Sequence, residues 1–158
     1  ATHGFPNFFT ITGPGSPSVL ASMVQSIEQH VDWIADCVAH LRDIGATSIE
    51  ASLEEEDAWV EHVNDVSEIS LRSTCSSWYV GANIPGRPRV FMPYIGGFPI
   101  YFDRCNSVMD KGFEGFVIDG GTPTSVPPKI RLTKRWHVPV DSDVISPAAI
   151  AAMRVPVV

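Results

Sequence analysis

A long run of the sequence alternates apolar and polar residues with the period of a helix. After a turn of glycine and proline, apolar residues recur at steps of three and four, and acidic and amide side chains fall largely between them. This spacing predicts one long helix with a single buried apolar stripe, and Gly45 directly after it favours a left-handed C-cap. The stripe consists of Met23, Ile27, Val31, Ile34, Val38 and Leu41.

Two further helices are predicted from apolar residues at the same spacing. Ser52, with Glu55 three positions later, forms a capping box. A third helix is predicted over about residues 99–111, because the proline at its start is tolerated in a first helical turn and Gly112 follows the last turn. The apolar positions are Trp59, Val63, Val66 and Ile69 in the second helix, and Tyr101, Cys105, Val108 and Met109 in the third.

Short runs of β-favouring residues between these helices predict strands. They stand at residues 8–12, 47–51, 89–95 and 116–118. Strands that alternate with helices are typical of an α/β fold.

Two stretches lack this periodicity. Residues 73–88 are rich in Ser, Gly, Asn and Pro and predict a long, partly mobile loop. Residues 120–128 are linker-like, and the tail beyond them, which reaches residue 158, has only weak strand alternation. We interpret this tail as an extended arm that packs on a neighbouring surface. A truncated start of another domain is the alternative.

The turn between the first predicted strand and the first helix, residues 13–18, is the most informative segment. Gly13 and Gly15 permit backbone angles that other residues avoid, and the prolines stiffen the turn. A strand, a glycine turn and a helix N-terminus suit an anion or an electron-rich ligand, because unpaired N–H groups and the positive dipole end point at it. A plain tight connection is the other interpretation. A dinucleotide-pyrophosphate site is rejected, since Ser18 stands where its third glycine belongs and the acids that follow lie mid-helix.

The composition narrows the range of functions. Charged residues make up 18% of the chain, against about 25% in a typical domain, which indicates a surface that something else covers. The net charge of −7 argues against nucleic-acid binding, which favours a basic face. No apolar run reaches a membrane span of roughly 18 residues, and no signal peptide is evident. Three widely spaced cysteines predict a reducing, cytoplasmic location.

The sequence offers little support for metal or hydrolase chemistry. The five histidines form no HxxxH or HExxH pair, and neither a CxxC pair nor a GxSxG nucleophile elbow occurs. The acidic residues 54–57 are interpreted as a solvated helix start, because consecutive acids on one turn point in different directions. His30, His40 and His62 are interpreted as structural, and Cys75 as an inert thiol.

Four uncommon strings, in one order, carry a family resemblance. They read HGFPNFFTITGPGSPSVL at residues 3–20, SIEQHVDW at 26–33, SWYVGANIPGRPRVF at 77–91 and GFEGF at 112–116. Together they resemble the late flavin-domain segment of Baeyer–Villiger monooxygenases, especially of the phenylacetone and steroid monooxygenase type. The resemblance covers roughly residues 3–119.

The resemblance implies a fold and a domain organisation. Residues 1–119 would form the C-terminal part of an FAD-binding domain in an α/β flavoprotein with two dinucleotide-binding domains, and residues 120–158 the linker and tail. The FAD and NADP fingerprints, the FxGxxxHxxxW signature and the catalytic arginine of the family are absent from this sequence. We therefore expect a fragment that is inactive alone and needs the missing N-terminal FAD- and NADP-binding regions.

The resemblance further implies cofactors and substrates. FAD and NADP(H) would be the cofactors, a ketone and O2 the substrates, and an ester or lactone the product. A related flavin-containing or N-hydroxylating monooxygenase and a non-catalytic interaction domain remain as alternatives.

Three groups of residues would meet these ligands. The first helix N-terminus would face the flavin, with Gly13, Pro14 and Met23 beside the cofactor. The loop of residues 73–88 would close over NADP, with Trp78 reaching it; an aromatic anchor of the loop is the other interpretation of this tryptophan. A bulge would line the ketone pocket, and it consists of Ser18, Val19, Leu20, Ala21 and Ser22. Packing of Val19, Leu20 and Met23 in the core is the other interpretation of these residues.

Overall fold

The computed structural model describes residues 1–18, 21–68, 70–71, 75–121 and Leu132. Helix α1 spans Met23–Ile44, strand β1 Ala46–Ala51, helix α2 Leu53–Ser67, helix α3 Phe98–Asp110 and strand β2 Phe116–Gly120, with a short 3-10 helix at Trp78–Val80. Helices and sheet thus share one fold, as the sequence pattern predicted. None of the described helices is long and apolar enough to cross a membrane.

Both ends of α1 carry a capping residue, and the C-cap is the glycine that the pattern indicated. The Ser22 hydroxyl accepts a hydrogen bond from the Gln25 backbone N–H at 3.5 Å, which satisfies one free donor of the first turn. Gly45 adopts φ +72°, and its N–H donates to the carbonyls of Arg42 and Leu41. Since glycine takes this left-handed conformation without steric cost, the helix ends here.

At the start of α2, one of the two hydrogen bonds of the predicted capping box is formed. The Ser52 hydroxyl accepts from the Glu55 N–H at 3.3 Å, as predicted. The Glu55 carboxylate lies 3.8 Å from Arg104 of α3, and the Ser52 N–H donates to the Gly115 carbonyl at 2.9 Å. Tertiary contacts therefore replace the return bond of the box. Both ionic side chains are largely exposed, so their pair contributes at most about 1 kcal/mol.

Strands β1 and β2 form a two-stranded antiparallel sheet from distant parts of the sequence. Ile49 pairs with Ile118, and a bulge lies between Ala46 and Ser48. The sheet packs against α1, which in turn packs against α3. The first core lies between them and consists of Cys37, Leu41, Ile49, Met109 and Phe113.

A second core joins α2 to the chain that follows it. Val63 and Val66 are buried, as predicted, and the half-buried Trp59 packs beside them. Ile69, the last member of the predicted stripe, lies outside the described residues. The partners of these α2 residues are Val80, Phe91 and Tyr94.

The predicted strand at residues 8–12 is wrong. The segment is irregular, and Thr12 turns to φ +53°. A strand is stabilised by a neighbour that completes its ladder of hydrogen bonds. No described strand forms such a ladder with residues 8–12, although Asn7 directly before them donates to the Ile49 carbonyl of β1 at 2.9 Å. Phe8 and Ile11 consequently expose 52% and 46% of their surface.

The predicted strand at residues 89–95 is wrong as well. The segment runs beside the glycine turn and pairs with it twice: Gly15 donates to the Met92 carbonyl at 2.6 Å, and Tyr94 donates to the Ser16 carbonyl at 3.0 Å. Prolines on both segments supply no N–H to extend the ladder. An isolated parallel bridge is the result.

In α1, most of the predicted apolar stripe is not buried, and a different face of the helix is buried instead. Of the predicted stripe only Leu41 is buried, whereas Met23, Val31 and Val38 expose 46%, 46% and 43% of their surface. A helix buries the face that its partners contact, and β1 and α3 contact the other one. This buried face is mixed in polarity and includes Ser26, Gln29, His30, Cys37 and His40.

The predicted loop and tail are described only in part. Residues 72–74, 122–131 and 133–158 lie outside the described set. Leu132 donates its backbone N–H to the Asp36 carboxylate at 2.9 Å. At this one described point the tail contacts α1.

Replacing Met109 with Ala should destabilise the chain by about 2–5 kcal/mol, because the fully buried side chain leaves a cavity in the first core. Val117→Ala, half exposed on β2, is the control and should cost less than about 1 kcal/mol. Urea unfolding followed by circular dichroism measures both. Equal losses would contradict this assignment of the core.

Candidate functional site

The glycine turn before α1 is folded tightly on itself. Ser16 closes it twice, since its N–H and its hydroxyl both donate to the Gly13 carbonyl, at 3.2 and 2.6 Å. A side chain at Gly13 would place its Cβ 2.5 Å from the Thr10 hydroxyl oxygen. The close approach of these two residues therefore requires glycine.

Gly15 is held from two sides. Its φ is +78°, its carbonyl accepts from the Trp59 indole N–H at 3.0 Å, and its own N–H donates to Met92. A Cβ here would lie 2.7 Å from Trp59 Nε1. Conformation and space thus both exclude a side chain at this position.

The N-terminus of α1 is open and carries no acidic residue in its first turn. A helix N-terminus presents several N–H groups without helical partners, and Ser22 caps one of them. The positive dipole end is therefore available to an anionic or electron-rich group. Met23 is half exposed at this end, Ser18 and Ala21 are partly buried, and Val19 and Leu20 lie outside the described residues.

A buried histidine supports the turn from α1. The Thr12 N–H donates to His30 Nδ1 at 3.1 Å, and His30 Nε2 lies 3.0 Å from the Tyr101 hydroxyl. Burial lowers the pKa of His30 to about 4 and raises the pKa of the Tyr101 phenol well above its ordinary value. Both side chains are therefore uncharged at neutral pH.

Trp78 begins the short 3-10 helix and is 59% exposed. Its ring lies 4.2 Å from that of Tyr79, while the buried Val80 anchors the helix in the second core. The Tyr79 carbonyl accepts from the Met92 N–H at 2.8 Å, and the Met92 carbonyl accepts from Gly15. Met92 thus joins the Trp78 helix to the glycine turn by two backbone bonds.

A cavity of about 510 Å³ lies behind the turn, with mostly apolar and aromatic walls. Of the predicted site residues, Gly13 and Pro14 line it, whereas Ser22, Met23 and Trp78 lie elsewhere. Sequence reasoning missed most of its walls. The buried face of α1 also recurs with the helical period, and this was the signal that could have found them. Because that face mixes polar and apolar residues, its periodicity is not visible in a hydrophobicity pattern. The missed lining residues include Phe9, Gln29, His30, Trp33, Trp59 and Tyr101.

Two of the cysteines are unreactive for a physical reason. Burial raises the pKa of Cys37 to about 12 and that of Cys105 to about 11. Both therefore stay protonated, and a thiol is a poor nucleophile compared with a thiolate. Within the described ranges, no three His, Cys, Asp or Glu side chains come together as a metal site would require.

Two curated proteins of similar sequence are much longer than the segment that matches this chain. No protein-family model matches the chain. Acetone monooxygenase (methyl acetate-forming) of Gordonia sp. (strain TY-5) is 39% identical over 117 residues, which are 73% of this chain and 22% of that protein. Baeyer-Villiger monooxygenase of Pseudooceanicola batsensis is 36% identical over 115 residues, 73% of this chain and 21% of that protein. The chain thus spans about a fifth of the length of these curated relatives.

Solved structures share the fold of this segment. Oxidized steroid monooxygenase bound to NADP matches with a TM-score of 0.68 at 50% identity, over 75% of this chain and 22% of that one. The OTEMO complex with FAD and NADP matches with a TM-score of 0.64 at 28% identity, over 74% and 21% of the two chains. The resemblance carried by the four sequence strings is therefore confirmed in sequence and in fold.

Gly15→Ala should lower the melting temperature of the chain more than Gly4→Ala does. Both positions have positive φ, which costs a residue with a Cβ about 1–2 kcal/mol. Only at Gly15 does the new Cβ meet the Trp59 ring, whereas nothing lies within 4 Å at Gly4. Losing the Trp59 hydrogen bond adds about 1 kcal/mol. Equal shifts in calorimetry would disprove the Gly15–Trp59 contact.

Acidification should destabilise the chain through His30. Its pKa is about 4 in the folded chain against an ordinary 6.5, so below pH 6.5 only the unfolded state takes up the proton. Stability is therefore full above pH 6.5 and falls toward pH 4, by on the order of 3 kcal/mol. His30→Gln should flatten this part of the stability–pH curve, measured by chemical unfolding, and His62→Gln on the exposed side of α2 is the control. A slope unchanged by His30→Gln would speak against the shift.

Proposed function

We propose that this chain, which belongs by sequence and fold to the Baeyer–Villiger monooxygenases, forms one wall of the flavin and ketone site of a longer enzyme. That enzyme binds FAD and NADP(H) and inserts one oxygen atom of O2 into a ketone, giving an ester or lactone. Relatives named as acetone and Baeyer–Villiger monooxygenases, and a solved relative titled as a complex with FAD and NADP, support the proposal. The other walls of the site lie in polypeptide outside this chain.

The half-exposed apolar side of α1 is the observation that carries the proposal. Val31 and Val38 are nearly half exposed, and together with Ile11 they line a groove of about 460 Å³. Fully burying one such side chain contributes about 1.5–3 kcal/mol. A stripe of this kind is therefore strongly stabilised by a second apolar surface.

The strands of a flavin-binding domain are the surface that fits. Residues 8–12 carry β-favouring side chains, form no hydrogen-bond ladder with a described strand and lead into α1 through the glycine turn. In an α/β unit the helix lies on the face of the sheet that holds its preceding strand. Strands added beside residues 8–12 therefore cover the apolar side of α1.

The N-terminus of α1 suits the electron-rich ring of a flavin. Its first turn contains no acidic residue, so the helix dipole and the N–H groups without helical partners stabilise negative charge there. Gly13 and Gly15 lie directly against Thr10 and Trp59, so the backbone of the turn is fixed before a ring binds to it. Gly13, Pro14 and Met23 contact the cofactor, and bound FAD supplies the oxygen-transfer chemistry.

Neighbouring segments supply the contacts with the ketone and with NADP. The ketone pocket is lined by the residues that lead into the helix N-terminus, while the loop of residues 73–88 closes over NADP and excludes water. Trp78 supports this role because its ring is exposed and its helix is joined to the glycine turn through Met92. The pocket residues are Ser18, Val19, Leu20, Ala21 and Ser22.

Grafting the chain into a relative tests the proposal. The chain replaces the matching segment of the Gordonia acetone monooxygenase, which is 39% identical to it. We expect a yellow protein that retains FAD and converts a ketone to an ester with NADPH and O2. A folded graft that binds no flavin, or that oxidises an amine and no ketone, would refute the proposal.

Val31→Glu in the grafted enzyme should abolish FAD retention, because it forces a charge into the apolar contact between α1 and the sheet, at a cost of several kcal/mol. Val117→Glu is the matched control, since Val117 is about as exposed in the chain but lies on β2. The measurement is flavin absorbance per protein after gel filtration. Equal retention in both variants contradicts the contact.

Trp78→Ala in the grafted enzyme should raise the KM for NADPH about tenfold, since removing one good contact costs on the order of 1.4 kcal/mol. The melting temperature should not change, because the ring is largely exposed. Ile84→Ala, a half-exposed residue of the same loop, is the control. An unchanged KM for NADPH would remove Trp78 from the site.

A further inference from the structure

The backbone conformation of Thr12 is sterically unfavourable for a residue with a branched Cβ. Its φ is +53°, in the left-handed region that β-branched residues rarely occupy. A residue in such a conformation persists where its surroundings hold it. The Thr12 hydroxyl donates to the Ile11 carbonyl at 2.7 Å, and the Thr12 N–H donates to His30 Nδ1 at 3.1 Å. The histidine ring is thus the acceptor that holds this peptide on α1.

The His30 ring is itself fixed on both sides. Because the Thr12 N–H is a donor, Nδ1 is the unprotonated nitrogen and the ring proton sits on Nε2. Nε2 then donates to the Tyr101 hydroxyl at 3.0 Å, and the two rings meet edge to face with centroids 5.5 Å apart. One neutral tautomer therefore satisfies both neighbours.

This arrangement ties the glycine turn to the helix that it precedes. His30 lies about two turns, or about 10 Å, beyond the N-terminus of α1. The turn is thereby bound to α1 by the covalent chain at one end and by the Thr12–His30 bond at the other. Tyr101 adds α3 to the same unit, and its ring lies 6.0 Å from that of Trp59, which holds Gly15.

We propose that His30 is a positioning residue of the flavin site, which holds the glycine turn at a fixed distance from the α1 N-terminus by accepting from Thr12. The inference rests on the proposed function, because it takes the flavin to lie at this turn. His30 acts through Thr12 and Gly13 and does not touch the cofactor, and Tyr101 orients the ring.

Two amide substitutions separate the two contacts of the ring. His30→Asn places an acceptor oxygen near the position of Nδ1 and does not reach Tyr101. His30→Gln reaches the Tyr101 hydroxyl and leaves the Thr12 N–H without its acceptor. Tyr101→Phe keeps the aromatic ring and removes only the hydroxyl.

In the grafted enzyme, we expect His30→Gln to lower kcat about tenfold at an unchanged KM for NADPH, since misplacing a reacting group by about 1 Å costs up to about a hundredfold in rate. The visible spectrum of its bound flavin should shift as well. His30→Asn should bring both the rate and the spectrum back toward those of the unmutated enzyme, and Tyr101→Phe should fall between the two. If every variant loses stability alike while kcat per bound flavin and the spectrum stay unchanged, His30 is only structural and the proposal is overturned.

A measurement that needs no flavin separates this inference from the proposed function. NMR of the imidazole nitrogens in the chain alone shows which one carries the proton, and we expect Nε2. A proton on Nδ1 overturns the His30 arrangement whatever the cofactor. An unmutated graft that folds without flavin refutes the proposed function, and the cofactor role of His30 falls with it.

Discussion

The rest of this structure depends on the difference between the two sides of α1. One side is mixed in polarity and packs against β1 and α3, while the other is apolar and half exposed. A helix with packing surfaces on both sides belongs between two layers, and the described residues form one of them. The irregular segment at residues 8–12 and the low content of charged residues, 18%, have the same explanation, because both fit a surface that a second layer covers.

The glycine turn is held in one conformation by contacts within the described layer. Trp59 of α2 and Met92 of the adjoining segment hold its backbone, and His30 of α1 holds Thr12 directly before it. All three contacts are hydrogen bonds between uncharged groups, so they do not depend on surface ion pairs. A backbone that is fixed before a ligand arrives does not have to be reorganised when it binds.

Sequence reasoning succeeded where local physics decides the outcome and failed where a distant partner does. The C-cap of α1 follows from the glycine at its end, and the relatives confirm the family resemblance that four strings carry. The strand at residues 8–12 failed because strands need neighbours. The α1 stripe was correctly identified as apolar and wrongly predicted to be buried, since periodicity does not say which polypeptide covers a face. His30 was predicted to be structural, but its bond to Tyr101 joins residues 71 positions apart and no local pattern indicates it.

The reaction of a cysteine at Val31 with a maleimide tests the two-layer account most directly. Val31→Cys is made in the chain alone and in the longer grafted enzyme, with the exposed Cys75 replaced by Ser in both; Cys37 and Cys105 stay unreactive because burial raises the pKa of each thiol. The account predicts rapid labelling in the chain alone and strong protection in the longer enzyme. Equally rapid labelling in both would show that no second layer covers α1.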